Sequence, residues 1–400
     1  MKDEKLRLIN KKIKDLSNMK KYLLSFAVMM GATLFTGCLS DNDNNNNRTV
    51  DYIVTKGALV INNGNAYNGI DGSLTFIDFS TDPANVQQDV YKTVNGASLG
   101  GTPNDVYVYG DKIYITGSDE NVVFVLNKNN FKQIKKISTV ADMGEAEGVT
   151  PRHLKAYDGK VYVTTYGGYV GVIDTLSLNV TNMYKVGSAP EGMAFGGTSD
   201  ADVSLYVANS DYGNGNGSIS KIALNTGTIT EIKNEKIHNP QQLAVSGDLI
   251  YVLDWGYYDE NWNQKEAGVY LINGTSVTQV VADATGMAAS GQYIVTYNYP
   301  YGSSTISYSV YNASYNITAS YLLSGSPLAS PCAISIDPNT GYVFLASRVI
   351  DPDTSYPSYT MPGYVNVYDG TGEFVSKVSY TTGVEPHAIA FTHGYETVKY

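Results

Sequence analysis

The sequence predicts an all-β protein, a seven-bladed β-propeller, over the larger part of its 400 residues. Three observations predict it. A short phrase built around a proline recurs at a spacing of about 47 residues, which is the length of a four-stranded propeller blade. Runs of β-branched and aromatic residues with alternating apolar positions follow each phrase, as in strands. The last phrase lies too close to the C-terminus to be followed by three further strands.

The first 37 residues are expected to form a signal peptide rather than part of the fold. An uncharged apolar run at residues 22–35 follows two lysines and precedes small residues and Cys38. The run is shorter than the roughly 20 residues that a helix needs to span a bilayer, and its layout is that of a secretion signal. Met19 lies directly before the two lysines and is an alternative translation start, from which residues 1–18 would not be translated.

Cys38 is the predicted site of lipid attachment. A cysteine after small residues at the end of such a run resembles the lipobox of bacterial lipoproteins, although Phe35 stands where leucine is usual. An ordinary signal peptide with an incidental cysteine is the alternative. Residues 38–50 are acidic and rich in asparagine, so they are expected to form a flexible tether. Such a stretch resembles the surface-export signal of Bacteroidetes lipoproteins; a plain spacer is the alternative.

The repeats fill residues 51–400. In each phrase two variable residues follow the proline, and then an apolar alternation begins. Each phrase leads into a Gly/Asp turn and a strand-like run, for example at residues 112–115, and third and fourth strands are predicted after it, for example at residues 122–126 and 133–137. The prolines are Pro103, Pro151, Pro190, Pro240, Pro331 and Pro386, and a copy that lacks the proline begins at Ala284.

The two ends of this region are expected to share one blade. The last phrase, residues 385–391, supplies a first strand, and three strands are predicted before the first phrase, at residues 58–62, 73–79 and 89–93. The C-terminal strand should therefore pair with residues 73–79 or 58–62, which removes the free edges of a split ring. A pair of β-sandwiches would not explain why the chain ends one strand into a repeat.

One face of the propeller is predicted to bind a ligand. Because neighbouring strands alternate in direction, the link into each blade and the loop between its second and third strands lie on the same face. These loops are rich in tyrosine and hold both tryptophans of the chain. Tyrosines inside strands are expected to pack between blades, whereas exposed aromatic rings in loops suit ligand capture. The predicted loop contacts are Trp255, Tyr257, Tyr258, Trp262, Tyr299, Arg348, Tyr356 and Tyr166.

The variable residues after each proline are expected to line the mouth of the central channel. Carboxylates and imidazoles at such a mouth suit acid–base chemistry or metal binding, but no motif fixes their geometry. No nucleophile elbow, zinc-protease motif or phosphate loop occurs. The sequence therefore predicts a binding protein with no catalytic residue, metal or cofactor. The predicted mouth contacts are Asp105, Arg152, His153, Glu191, Gln241 and His387.

Charge and cysteine content exclude two further classes. The chain carries a formal charge of −11, and its first 37 residues hold eight basic and three acidic residues, so the remainder carries −16. An acidic surface repels phosphate backbones, which argues against nucleic acid as a partner. The chain holds two cysteines and no Cys-x-x-Cys pair, so no zinc site of that kind is expected.

The recurring Pro-x-x-apolar phrase with its Gly/Asp turn and Tyr-Val run resembles the YncE-like seven-bladed propellers over residues 51–394. Together with Cys38, the acidic tether and the Tyr-rich loops, the chain resembles the BtuG-type surface lipoproteins of Bacteroides. That resemblance implies capture of vitamin B12 or a related corrinoid, as ligand rather than cofactor, and its transfer to a TonB-dependent transporter. It places the protein on the outer membrane, lipid-anchored and facing the cell exterior. The alternatives are a propeller that binds surface glycan or peptide and, less favoured, a channel-site hydrolase or lyase.

Overall fold

The computed structural model describes residues 49–197, 199–246, 248–300, 303 and 305–399, with the backbone alone for residues 49–50 and 398–399. The predictions for the signal peptide, for Cys38 and for most of the tether lie outside these residues. Among the helices described, none has the length and apolar character that a membrane crossing needs.

Within the described residues the chain folds into seven four-stranded antiparallel sheets, each of which is one blade. This confirms the predicted all-β propeller. The strands before the fifth blade are β1 (Thr49–Asn62), β2 (Ser73–Asp78), β3 (Asn85–Gln87), β4 (Pro103–Tyr109), β5 (Lys112–Gly117), β6 (Val122–Asn127), β7 (Gln133–Ser138), β8 (Pro151–Tyr157), β9 (Lys160–Thr165), β10 (Tyr169–Asp174), β11 (Val180–Lys185), β12 (Pro190–Gly196), β13 (Ser204–Asn209), β14 (Ser218–Ala223) and β15 (Ile229–Ile232).

The remaining strands complete blades 5 to 7 and return to blade 1. Blade 5 carries an inserted two-stranded hairpin, β18 and β19, between its second and third strands. The strands are β16 (Pro240–Ser246), β17 (Leu249–Asp254), β18 (Tyr257–Tyr258), β19 (Gln264–Lys265), β20 (Gly268–Asn273), β21 (Ser276–Ala282), β22 (Gly286–Ser290), β23 (Tyr293–Asn298), β24 (Ser307–Asn312), β25 (Ile317–Tyr321), β26 (Ser330–Ile336), β27 (Val343–Arg348), β28 (Pro362–Tyr368), β29 (Tyr380–Val384) and β30 (Pro386–Lys399).

Blade 1 is built from both ends of the described chain. Its strand order is β3-β2-β1-β30, so the C-terminal strand is the innermost one. Strand β30 pairs antiparallel with β1 from Pro386 opposite Asn62 to Lys399 opposite Thr49. It is longer than the predicted segment 385–391, and its outer half extends the pairing along residues 49–54. Both edges that a split ring would expose are thereby hydrogen-bonded to each other.

The prediction of a strand at residues 89–93 is wrong. These residues lie at the start of a short helix, α1 (Val90–Asn95), and the outer strand of blade 1 is β3. The Asp89 side chain accepts a hydrogen bond from the backbone N–H of Lys92, and Gly96 ends the helix in a left-handed conformation. Val90 and Tyr91 are buried, so a capped helical turn buries the two residues whose β propensity favours a strand. A second short helix, α2 (Thr139–Met143), joins blades 2 and 3.

The core consists of apolar layers between neighbouring blades. The strand tyrosines Tyr114, Tyr162, Tyr206 and Tyr251 are buried in these layers, as expected. The first strands of the blades surround the central channel. We call the face that holds the links into the blades and the loops between second and third strands the loop face, and the opposite face the hairpin face.

Candidate functional site

The insertion of blade 5 carries four of the predicted aromatic contacts, Trp255, Tyr257, Tyr258 and Trp262, on the loop face. Tyr257 and Tyr258 pair with Lys265 and Gln264 in the hairpin β18–β19. The ring of Trp262 at the hairpin tip is 6.4 Å from that of Tyr258, centroid to centroid. Trp262 is 83% exposed and Tyr258 50% exposed. The hairpin therefore presents aromatic rings to solvent rather than to the core.

The base of this hairpin is held firmly. The buried carboxylate of Asp254 accepts hydrogen bonds from the backbone N–H groups of His238, Asn239 and Gly256, while burial raises its pKa. Trp255 Nε1 donates to the carbonyl of Thr285 on blade 6 at 3.0 Å. These hydrogen bonds hold the base of the hairpin in place. Little conformational entropy of this segment would therefore be lost when a ligand binds to its aromatic rings.

Exposed aromatic side chains are concentrated on the loop face across the described residues. Eight of them lie in loops between second and third strands, on blades 1, 4, 5 and 7. Three exposed tyrosines lie elsewhere, namely Tyr315, Tyr342 and Tyr395. Two predicted contacts, Tyr166 and Tyr299, are half-buried at the inner ends of their loops. The eight are Tyr67, Tyr212, Trp255, Tyr257, Tyr258, Trp262, Tyr356 and Tyr359.

Arg348 lies at the end of strand β27 beneath the long loop of blade 7. Its guanidinium forms a bidentate ion pair with Glu385 and lies 4.9 Å from the ring centroid of Tyr359. Tyr356, on the same loop, is 74% exposed. Arg348 therefore holds the loop in place through Glu385 and Tyr359 and remains partly exposed. Tyr356 is open to solvent.

Arg152, Tyr166 and Glu191 form a second Arg–Tyr–Glu group, between blades 3 and 4. Arg152 Nε donates to Glu191 Oε2 at 3.0 Å, and the guanidinium lies 4.8 Å from the ring centroid of Tyr166. The Tyr166 hydroxyl donates to Glu191 Oε1. Glu191 is only 3% exposed, so both its oxygens are used inside the protein.

His153 lies between two carboxylates from its neighbouring blades. Its Nδ1 is 3.5 Å from Asp105 Oδ2, and its Nε2 is 3.4 Å from Glu191 Oε2. Burial alone would lower the pKa of His153, but hydrogen bonds to Asp105 and Glu191 outweigh it and raise the pKa to about 9. Burial would likewise raise the pKa of Glu191, but His153 and Arg152 hold it at about 2. At neutral pH an imidazolium therefore joins blades 2, 3 and 4.

His387, on the first strand of blade 1, is in the opposite protonation state. Burial, and then the charges of Arg152 and His153, lower its pKa to about 4, so its imidazole is neutral at neutral pH. Gln241, the predicted contact on blade 5, donates from Nε2 to Asn239 Oδ1 at 2.6 Å.

Cys332, on the first strand of blade 7, has a buried thiol. Burial raises the pKa of the Cys332 thiol to about 12, and its Sγ donates to the carbonyl of Pro386 at 3.0 Å. A thiol in that state is a poor nucleophile. Over the residues described, no group of three or more His, Cys, Asp and Glu side chains is arranged to hold a metal ion.

The structure separates the predicted mouth residues into two sets. A cavity of about 760 Å³ in the central channel is lined at one end by Asp105 and His153 and extends to the hairpin face. Arg152, Glu191 and His387 do not line it; they lie at the loop-face end of the channel.

Sequence reasoning missed the role of Glu385 and a backbone feature that accompanies it. The residue before the proline has a positive φ on three blades, at Thr150 (51°), Ala189 (45°) and Glu385 (59°). Residues before proline normally adopt extended conformations, and left-handed non-glycine residues cost about 1–3 kcal/mol each. The strain at Glu385 accompanies its ion pair with Arg348. The signal in the sequence is the position of Glu385 directly before Pro386, whereas the predicted mouth contacts are all residues that follow a proline.

Comparison with known proteins supports the fold and leaves the ligand open. No protein-family model matches the chain, and no curated protein does. Among solved structures, the chain is similar to hydrazine synthase of Kuenenia stuttgartiensis, with 15% identity, a TM-score of 0.53, and coverage of 74% of this chain and 89% of that chain. It is also similar to a quinoprotein alcohol dehydrogenase-like protein of Bacteroides thetaiotaomicron, with 14% identity, a TM-score of 0.50, and coverage of 86% and 85%. At these identities the likeness is one of fold: this chain is a β-propeller.

Proposed function

We propose that this protein is a lipid-anchored propeller of the outer membrane that captures vitamin B12 or a related corrinoid and passes it to a TonB-dependent transporter. The observation that carries the proposal is the concentration of eight exposed aromatic side chains on the loop face. Exposed aromatic patches on a soluble protein usually mark a binding surface. The opposite, hairpin face lacks a comparable cluster among the described residues.

The shape and chemistry of the loop face suit a large, flat, amphipathic ligand. Its exposed rings come from four blades, and the half-buried guanidinium groups of Arg152 and Arg348 lie against the rings of Tyr166 and Tyr359 in the same set of loops. A corrin ring offers apolar faces to tyrosine and tryptophan and amide side chains to their polar tips. Because both arginines are already paired with carboxylates, the centre of the face carries little net charge. A ligand without strong charge is therefore favoured.

The proposed location depends on Cys38 and the tether. A single lipid chain gives marginal membrane binding, whereas the diacylglycerol of a lipoprotein cysteine gives stable anchoring. Cys38→Ala should therefore release the protein from membranes. Protease added to intact cells should digest the wild-type protein if the tether directs it to the surface. Unchanged membrane fractionation of the variant would contradict the anchor, and complete protection from protease would contradict surface exposure.

A glycan is the second candidate ligand, and one feature of the hairpin favours it. Trp262 is flanked by Asn261 and Asn263, and Asn263 Nδ2 donates to Asp259 at 3.2 Å. An exposed indole beside amide and carboxylate groups can stack on a sugar ring and hydrogen-bond its hydroxyls. This arrangement is local to one blade, however, whereas the exposed rings extend over four.

Calorimetry on the purified protein distinguishes corrinoid capture from glycan binding. Cyanocobalamin, cobinamide and a panel of glycans are titrated under the same conditions. Saturable heat with a corrinoid and none with the glycans supports corrinoid capture. Saturable heat with a glycan alone would replace the proposal with the second candidate, and heat from neither would contradict both.

A further inference from the structure

The walls of the central channel are chemically unequal. On the first strands of blades 2 and 3, large polar side chains face the cavity: Asp105, Tyr107, His153 and Lys155. At the depth of Tyr107 and Lys155 the first strands of the other blades contribute the small residues Ala194, Ala244, Ala288, Ser335 and Ala390. At the depth of Asp105 and His153, blade 4 contributes Gly192 and blade 5 contributes Gln242, whose side-chain oxygen accepts a hydrogen bond from the backbone N–H of Met287. The channel therefore holds free volume directly opposite a polar wall.

Gly192 shows that this small wall is required by close packing of the inner strands. A Cβ atom there would lie 2.7 Å from the carbonyl oxygen of Gln241 on the neighbouring blade. Such a distance is a steric clash with backbone, so the strand of blade 4 can approach blade 5 only with glycine. The small residue at this position is thus required by the backbone arrangement of blades 4 and 5.

The cavity is reached from the hairpin face. Its lining extends from His153 to the exposed turn residues Gly110, Ser246 and Gly291. At the other end, Arg152 and Glu191 occupy the loop-face side of the channel. A small molecule in the cavity would therefore enter opposite the aromatic surface and would not compete with a ligand there.

Lys155 lies half-buried on the polar wall of this cavity and has no ion-pair partner among the described residues, whereas Lys128 lies at the hairpin-face end. The Nζ of Lys155 lies 5.5 Å from the ring centroid of Tyr107, and no hydrogen bond or ion pair to a described residue satisfies it. The imidazolium of His153, by contrast, is shared by Asp105 and Glu191, and Arg152 balances the second carboxylate. Burial lowers the pKa of Lys155, and Asp105 only partly opposes this.

We infer that the central channel binds a small organic monocarboxylate, which enters from the hairpin face and pairs with Lys155. A half-buried ammonium group on the wall of a cavity gains from an acceptor there, and a carboxylate would supply one. A single cation on the polar wall matches one negative charge, whereas a phosphate group needs several donors. The alanines together with Met193 and Met287 provide apolar contact for the body of such a ligand.

The test is calorimetry of the full-length protein with acetate, hexanoate and benzoate, and with benzamide as a neutral analogue of benzoate. At least one carboxylate should bind, and benzamide should bind about tenfold more weakly than benzoate or not at all. Lys155→Met should weaken carboxylate binding by about tenfold or more, and Lys155→Arg by less. Lys128→Met is the matched control at the exposed end of the cavity and should change binding less than about twofold.

A second measurement covers the case in which Lys155→Met fails to fold. Acetic anhydride is applied to the wild-type protein with and without benzoate, and each lysine is followed by mass spectrometry. Benzoate should protect Lys155 and leave Lys128 unprotected. The inference is overturned if none of the three carboxylates binds, if Lys155→Met binds them as well as wild type, or if Lys155 is not protected. Corrinoid binding at the loop face should be unaffected by Lys155→Met, so this test and that of the proposed function fail independently.

Discussion

Arg152 and Glu191 lie on neighbouring blades, and Arg152 Nε donates a hydrogen bond to Glu191 Oε2 at 3.0 Å. The same carboxylate accepts from the Tyr166 hydroxyl and lies 3.4 Å from His153 Nε2. One buried acid thus satisfies three groups on blade 3. These residues were predicted as ligand contacts, and their mutual pairing gives them a structural role at the loop-face end of the channel.

Glu191→Gln should destabilise the protein by about 3 kcal/mol, because it removes the carboxylate paired with Arg152 and leaves His153 with Asp105 alone. Urea denaturation followed by circular dichroism measures the change. Glu145→Gln is the matched control, since Glu145 is exposed, and should change stability by less than about 0.5 kcal/mol. Equal stability of the Glu191→Gln variant and wild type would show that the cluster does not join the blades.

His153 should produce a loss of stability on the alkaline side of neutrality. Its pKa is raised from the ordinary value of 6.5 to about 9 in the folded protein, so the folded state holds the proton more tightly than the unfolded chain. The contribution is fully present below pH 6.5 and is lost as the pH rises through 9. His153→Gln should flatten the pH dependence of the urea midpoint over this range. His238→Gln, at the edge of the loop face, should retain it; an unchanged slope in the His153 variant would refute the assignment.

Removal of residues 386–400 should abolish cooperative unfolding. Blade 1 would lose its innermost strand, and β1 would keep only its pairing with β2 along residues 57–62. Removal of residues 395–400 alone is the control, because the pairing of residues 386–394 with β1 remains and a cooperative transition should persist. A protein without residues 386–400 that melts like wild type would contradict the role of this strand in closing the ring.

Tyr258→Ala should weaken binding of the loop-face ligand by about 1–3 kcal/mol, as is usual for an interface aromatic. Stability should change by less than about 0.5 kcal/mol, because the side chain is half exposed on a hairpin outside the core. Tyr342→Ala removes an exposed tyrosine on the hairpin face and should leave affinity unchanged. Native affinity in the Tyr258→Ala variant would place the ligand away from the blade 5 hairpin.

Local sequence patterns predicted the blades and the hairpin cluster because the information lies within one repeat. Trp255 and Trp262 are seven positions apart in one loop, so any fold that exposes the loop brings them near each other. The helix at Val90–Asn95 was missed because its β-branched residues favour a strand, while the decisive cap at Asp89 depends on a backbone conformation.

Contacts between blades could not be predicted from the sequence. Arg152 and Glu191 occupy the same position after their prolines, which places them at one depth in the channel. Whether their side chains pair or face solvent depends on rotamers and on Tyr166, which comes from another loop. Lys155 gave no signal either, because a lysine in an alternating strand usually faces water. Its partial burial follows from the closed ring of blades.

The measurement that tests corrinoid capture most directly is tryptophan fluorescence during titration with cyanocobalamin. Both tryptophans of the chain lie in the loop between the second and third strands of blade 5, so their emission reports on this part of the loop face. A corrin chromophore absorbs where tryptophan emits, whereas a glycan does not. N-acetyltryptophanamide at matched absorbance corrects for light lost to the free ligand.

Cyanocobalamin should quench the emission saturably at one equivalent, and Tyr258→Ala should shift the saturation curve to higher concentration. A glycan panel should leave the emission unquenched. Emission that falls only as much as that of N-acetyltryptophanamide, at every cyanocobalamin concentration tested, would contradict corrinoid capture on the loop face.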